Sequence, residues 1–129
     1  MLSLSLPGRI FWCTLPTDMR KSFDSLAGLV RTHMSQDPLA GDLFVFRSRR
    51  GDRIKLLYWD EDGLALWYKR LEEGTFELPS ADGQRNRVGE SGLVLRPAEL
   101  ALLLAGIDLA SVRRQKRYQR PGAAAACGH

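Results

Sequence analysis

The chain has 129 residues, 44% of them hydrophobic and 26% charged, the proportions of one ordinary globular domain. No apolar run approaches the ~20 residues that span a membrane, and residues 1–6 lack the basic start of a secretory signal, so a cytoplasmic protein is expected. The formal charge of +4 is unevenly placed: residues 1–112 hold 14 Lys and Arg against 15 Asp and Glu, while residues 113–129 add five cations and no acid.

Residues 9–15, rich in β-branched and aromatic side chains, predict a first strand. Pro16, Thr17 and Asp18 supply a turn and a helix N-cap. From there the apolar residues recur at Met19, Phe23, Leu26, Val30 and Met34, which draws one stripe of an α-helix, widened by Leu29 and His33. The stripe centres Phe23 and so predicts that it is core. This helix should stop near Ser35, because Pro38 disfavours helical geometry at Asp37.

Residues 43–47 predict a second strand. Arg50, Gly51 and Asp52 break it, and residues 53–59 restart it as a hairpin, with Ile54, Leu56 and Tyr58 on one face and Arg53, Lys55, Leu57 and Trp59 on the other. Asp60, Glu61, Asp62 and Gly63 make the next turn. Residues 64–68 return as a strand, and residues 75–78 add a short one. Strands spaced this closely imply an antiparallel meander rather than crossovers. Residues 79–92 are polar and Gly-rich and predict a mobile loop.

Residues 93–95 predict a short strand, and Pro97 opens a last helix, where its missing N–H matters little. Leu100, Leu103, Leu104 and Ile107 form its apolar face, and Gly106 or Asp108 ends it. The expected fold class is α+β: a small, mainly antiparallel sheet of four or five strands covered by two helices. Residues 1–112 form the expected domain and residues 113–129 a basic, disordered tail.

The run TDMRKSFDSL at 17–26 resembles the opening motif of the insertion-sequence-66 accessory proteins, the TnpB or second-open-reading-frame type. Asp37-Pro38, then LFVF at 43–46, RGDRIK at 50–55 and Tyr58-Trp59-Asp60, are similar to the family's central block. GLALWYKRLE at 63–72 and Gly74-Thr75-Phe76 continue it in order, and residues 100–108 resemble its closing segment. The resemblance covers about residues 7–109; Ser22 and Ser25 stand where the family often has glycine, and the tail lies beyond the shared pattern. It implies a protein encoded beside a separate DDE-type transposase that assists transposition without catalysis of its own. Its implied partners are that transposase and DNA, at the element's ends or without sequence preference. The RNA-guided nucleases that share the TnpB label are a different group.

Several cation clusters are candidates for phosphate contact. Arg47, Arg49, Arg50, Arg53 and Lys55 crowd the hairpin, where they either meet a nucleic-acid backbone or simply solvate an edge. Lys69 and Arg70 follow on the next strand. Arg20 and Lys21 fall in the expected first helical turn, where the helix dipole favours anions, which points to a ligand or to a carboxylate partner such as Asp24. Arg113, Arg114, Lys116, Arg117 and Arg120 make the tail a candidate for sequence-independent phosphate binding. Trp59, Trp67 and Tyr68 either stack on bases or fill the core.

Cys13 and Cys127, with only His33 and His129 beside them, give no metal-ligand spacing and no disulfide framework, so no metal or cofactor is expected. Asp60, Glu61 and Asp62 share one turn and cannot easily converge on an ion. The rival function is a small metal-dependent nuclease, which requires carboxylates such as Asp18, Asp24 and Asp60 to gather from separate elements.

Overall fold

Consecutive strand residues in this chain are apolar at both odd and even positions, so a sheet made from them must be covered on both faces. The computed structural model describes residues 8–78, 87–105, 107–108 and 113–114. Strands β1 (Ile10–Cys13), β2 (Leu43–Arg47), β3 (Arg53–Asp60), β4 (Gly63–Arg70), β5 (Arg87–Val88) and β6 (Gly92–Leu95) form one sheet in the order β4-β3-β2-β1-β6-β5. Helix α1 (Phe23–His33) covers one face and α2 (Pro97–Ala105) the other.

Ile10, Trp12, Leu43, Val45, Ile54 and Leu56 pack beneath Leu100 and Leu103 of α2. Phe11, Cys13, Phe44, Phe46 and Leu57 pack against Leu26, Ala27 and Val30 of α1, with the Phe11 and Phe44 rings stacked 5.4 Å apart. Among the described residues no helix is long and apolar enough to cross a membrane.

The α+β class is as the sequence indicates, and β2, β3 and β4 form the expected meander. The pairing of β1 differs: it runs parallel to β2 and antiparallel to β6. The segment between β1 and β2 is long enough to carry α1 across the sheet as the crossover that parallel neighbours require.

Helix α1 also begins later than its apolar stripe. The Asp18 carboxylate accepts the Arg20 N–H at 2.9 Å, closing a local turn. Ser22, extended at φ −130°, is the N-cap, and its N–H donates to Ser25 Oγ at 3.0 Å. Met19 therefore packs on the core from outside the helix, and Phe23, at the first helical position, is 43% exposed rather than central. Met34 caps the other end, and Ser35, at φ 54°, stops the helix where expected.

Residues 75–78 form no strand. Phe76 is buried, and its N–H donates to Gly51 O at 2.7 Å, so this segment is tied to the β2–β3 turn rather than to a sheet edge. Within the expected mobile loop, residues 87–88 and 92 onward instead form the β5–β6 hairpin; residues 79–86 lie outside the described residues. Past α2, β7 (Ile107–Asp108) pairs antiparallel with β8 (Arg113–Arg114), so Asp108 and the first two tail residues are in strands. Lys116, Arg117, Arg120 and Cys127 lie outside the described residues.

Candidate nucleic-acid interface

The β2–β3 connection is a tight turn. Gly51 N–H donates to Ser48 O at 3.0 Å, which leaves Arg49 and Arg50 at the two central positions, both exposed. Buried Ser48 holds the turn from inside: its Oγ accepts from Arg53 N–H at 3.1 Å and donates to Asp52 Oδ1 at 3.3 Å.

Residues 17–20 build the facing wall. Thr17 is buried and its N–H donates to Arg47 O at 2.9 Å, tying the wall to β2. Lys55 ties it to β3: its ammonium donates to Met19 O at 2.7 Å and Lys21 O at 2.6 Å. Arg20 lies over Asp18, donating from Nη2 at 2.7 Å and from Nε at 3.1 Å. These hydrogen bonds hold the Asp18 carboxyl down at about 2.

Between turn and wall lies a groove of about 370 Å³ lined by Arg20, Arg49, Arg50 and Arg53 together with Asp18 and Asp52. Asp18 is engaged by Arg20 and Asp52 by Ser48. Among the described residues Arg49 and Arg50 make no ion pair, so the groove presents a surplus of guanidinium charge. Arg53 donates from Nη1 to the Tyr68 hydroxyl at 3.4 Å, and Tyr68 is 47% exposed with Lys55 Nζ 4.6 Å from its ring centre. Planar guanidinium forks match phosphate oxygens two at a time, which makes a phosphate the ligand these arginines suit chemically.

The hairpin cations thus divide. Arg49, Arg50 and Arg53 meet Arg20 in the groove, whereas Arg47 and Lys55 are spent internally. Arg47 donates from Nε to Phe76 O at 2.6 Å and pairs with Glu77 at 3.0 Å. Lys55 is only 6% exposed, so its ammonium faces carbonyls rather than solvent. Lys21 precedes the helix N-cap instead of occupying the first turn, with its N–H on Asp18 O at 3.1 Å, and Arg20 takes Asp18 rather than Asp24 as partner. Lys69 and Arg70 lie on β4 outside the groove lining; Arg70 stands opposite Arg53 and pairs with Glu72 at 3.3 Å. Trp67 packs against the core under α2.

Thr17, Ser48 and Asp52 were not among the sequence candidates. For Ser48 and Asp52 the signal is a short polar residue beside the Arg49-Arg50 pair in a turn; Thr17 carries no such signal. Among the described residues no three of His, Cys, Asp and Glu come together in the manner of metal ligands. Asp60, Glu61 and Asp62 sit at the β3–β4 turn, the far end of β3 from the groove. Cys13 is a buried thiol pushed up by its burial, which keeps it protonated and unreactive.

Fold and groove together define a small α+β protein with an arginine-lined groove beside the β2–β3 turn. The chain matches the IS66 Orf2-like protein family over residues 8–114, and it belongs to that family. It is 40% identical over 113 residues to the uncharacterized protein y4jC of Sinorhizobium fredii, which covers 88% of this chain and 90% of that one. It is 42% identical over 100 residues to the uncharacterized protein y4hO of the same organism, covering 78% and 81%. No solved structure matches. Membership gives the chain an accessory role associated with transposition of an insertion sequence. The matched span runs through β8, so Arg113 and Arg114 fall inside the family pattern, beyond the motifs of residues 7–109 that carry the resemblance.

Proposed function

We propose that this protein assists transposition by binding rather than by catalysis, holding DNA phosphates in the groove of Arg20, Arg49, Arg50 and Arg53 and so meeting the transposase on the DNA of their common element. The gathering of four arginines along one groove, two of them on an exposed turn with no ion pair among the described residues, carries the reading. Phosphate contacts of this kind fix position on DNA without reading its sequence. Element-end and unrelated DNA should therefore bind alike at this site.

Fluorescence anisotropy with labelled duplex and single-stranded DNA tests it. Replacing both Arg49 and Arg50 by Ala should weaken binding and flatten the slope of log affinity against log salt by about 1.8, the share of two duplex phosphates. Unchanged affinity and slope in the folded double variant would refute the site. Cleavage of supercoiled DNA with magnesium or manganese, lost in Asp18→Asn, would refute the non-catalytic half. Recovery of the transposase with tagged protein, with and without nuclease treatment, shows whether DNA bridges the two.

A further inference from the structure

The two edges of the sheet are unequal. At one edge, among the described residues, β5 has two residues, a length that offers little to a foreign strand. At the other, β4 has eight, and it pairs with β3 one to one from Asp60↔Gly63 to Arg53↔Arg70 with no bulge and no proline. Among the described residues no strand pairs with the outer side of β4. Its side chains are anchored on both faces, Leu64 and Leu66 against the α1 core and Trp67 against the α2 core, so the strand is held in place while its outer edge stays open.

Charge along this edge is polarised. Glu61 and Asp62, both exposed, precede β4, and Lys69 and Arg70, also exposed, end it, with Arg70 keeping Glu72 at 3.3 Å as an exposed partner that a second copy's Asp62 would share. An antiparallel copy of the same strand reverses that order, so each acidic turn meets the other copy's basic end. A register centred on Leu66 sets Arg70 opposite Asp62 and Lys69 opposite Gly63, twice over by symmetry. A parallel copy would instead set like charge against like.

We propose that two copies of this chain join through their β4 strands, antiparallel, into one continuous sheet. Main-chain hydrogen bonds supply the attachment, and the polarised charges choose direction and register. The contact is isologous, so it closes at two subunits and leaves no free long edge. It does not depend on the DNA reading.

Sedimentation of the full chain at about 0.05 M salt, where the charges are least screened, should give a species of twice the 14.5 kDa protomer. Two charge-reversed proteins then test the face. Lys69→Glu with Arg70→Glu sets acid against acid, and Glu61→Lys with Asp62→Lys sets base against base. Each alone should dimerise at least about tenfold more weakly, and an equal mixture of the two should recover the dimer, because only the mixed pair restores both contacts. The single exchanges Arg70→Glu and Asp62→Arg repeat the test with a smaller perturbation, and circular dichroism confirms that each protein is folded. A monomeric parent chain, charge variants that sediment like the parent, or folded mixtures that stay monomeric would each overturn the proposal.

Discussion

The guanidinium of Arg47 occupies the space that a side chain at Gly51 would need: a Cβ there would lie 2.8 Å from Arg47 Cζ. Gly51 also holds φ +83°, a conformation L side chains rarely adopt. Its carbonyl receives the Phe76 N–H, while Arg47 donates to Phe76 O. One missing side chain therefore lets the turn, the arginine and the segment after β4 close on one another. Gly51→Ala should destabilise the protein by about 1–3 kcal/mol, read as a melting temperature several degrees lower. A melt indistinguishable from the parent would contradict this.

Lys55 acts on the groove from behind. Lys55→Met keeps the packing stem but leaves Met19 O and Lys21 O without their donor, at a cost of about 1–3 kcal/mol. DNA affinity should fall as well, although residue 55 does not line the groove, because residues 17–20 lose their tie to β3. Undiminished affinity in the folded variant would separate the wall from binding.

Phe23 and Leu26 share a stripe but not an environment, being 43% and 0% exposed. Leu26→Ala should cost about 2–5 kcal/mol, whereas Phe23→Ala should cost less than about 1 kcal/mol. Chemical denaturation of both resolves them, and equal losses would mean that α1 starts earlier than described.

Asp18 titrates at about 2 instead of its ordinary 3.8, chiefly because Arg20 hydrogen-bonds its ionised form. A depressed carboxylate contributes its stabilisation above the ordinary value and loses it as pH falls through the folded one, so the Asp18–Arg20 turn should loosen between pH 3.8 and about 2. Arg20→Ala should return the Asp18 carboxyl, followed by NMR, towards 3.8. A midpoint that stays near 2 would assign the shift elsewhere.

The basic tail has its own signature. Truncation after Arg114 spares β8 and removes Lys116, Arg117 and Arg120. If all three meet phosphates on duplex DNA, the salt slope should flatten by about 2.7, with the Arg49 and Arg50 share intact. A truncated chain with the full slope would leave the tail without a DNA role.

Local rules made much of the fold legible. Alternation announced both faces of β3, and Pro97 announced the start of α2. What escaped were relationships between distant residues. Strand partners leave no periodicity, so the parallel pairing of Ile10 with Leu43 could not be seen. Lys55 reads as a surface cation because its carbonyl partners sit 36 and 34 residues away. Phe23 continues a helical spacing through a turn that Asp18 and Ser22 close before the helix begins. The groove is half legible: its arginines stand out in the sequence, but their meeting depends on Thr17 reaching Arg47.

Strand β1 is made before both of its neighbours and lies inside the sheet. Ile10 pairs on one side with Leu43 and on the other with Leu95. At ~5–20 residues per second, a ribosome needs roughly 4–16 s to get from Cys13 to Leu95, while the β2–β3–β4 meander can zip within microseconds of emerging. For those seconds one side of β1 has no partner, although its residues are the aromatic and aliphatic run IFWC. During synthesis β1 is thus open to capture, by a chaperone or by another nascent copy, and that hazard ends only when the hairpin of β5 and β6 arrives to pair with it.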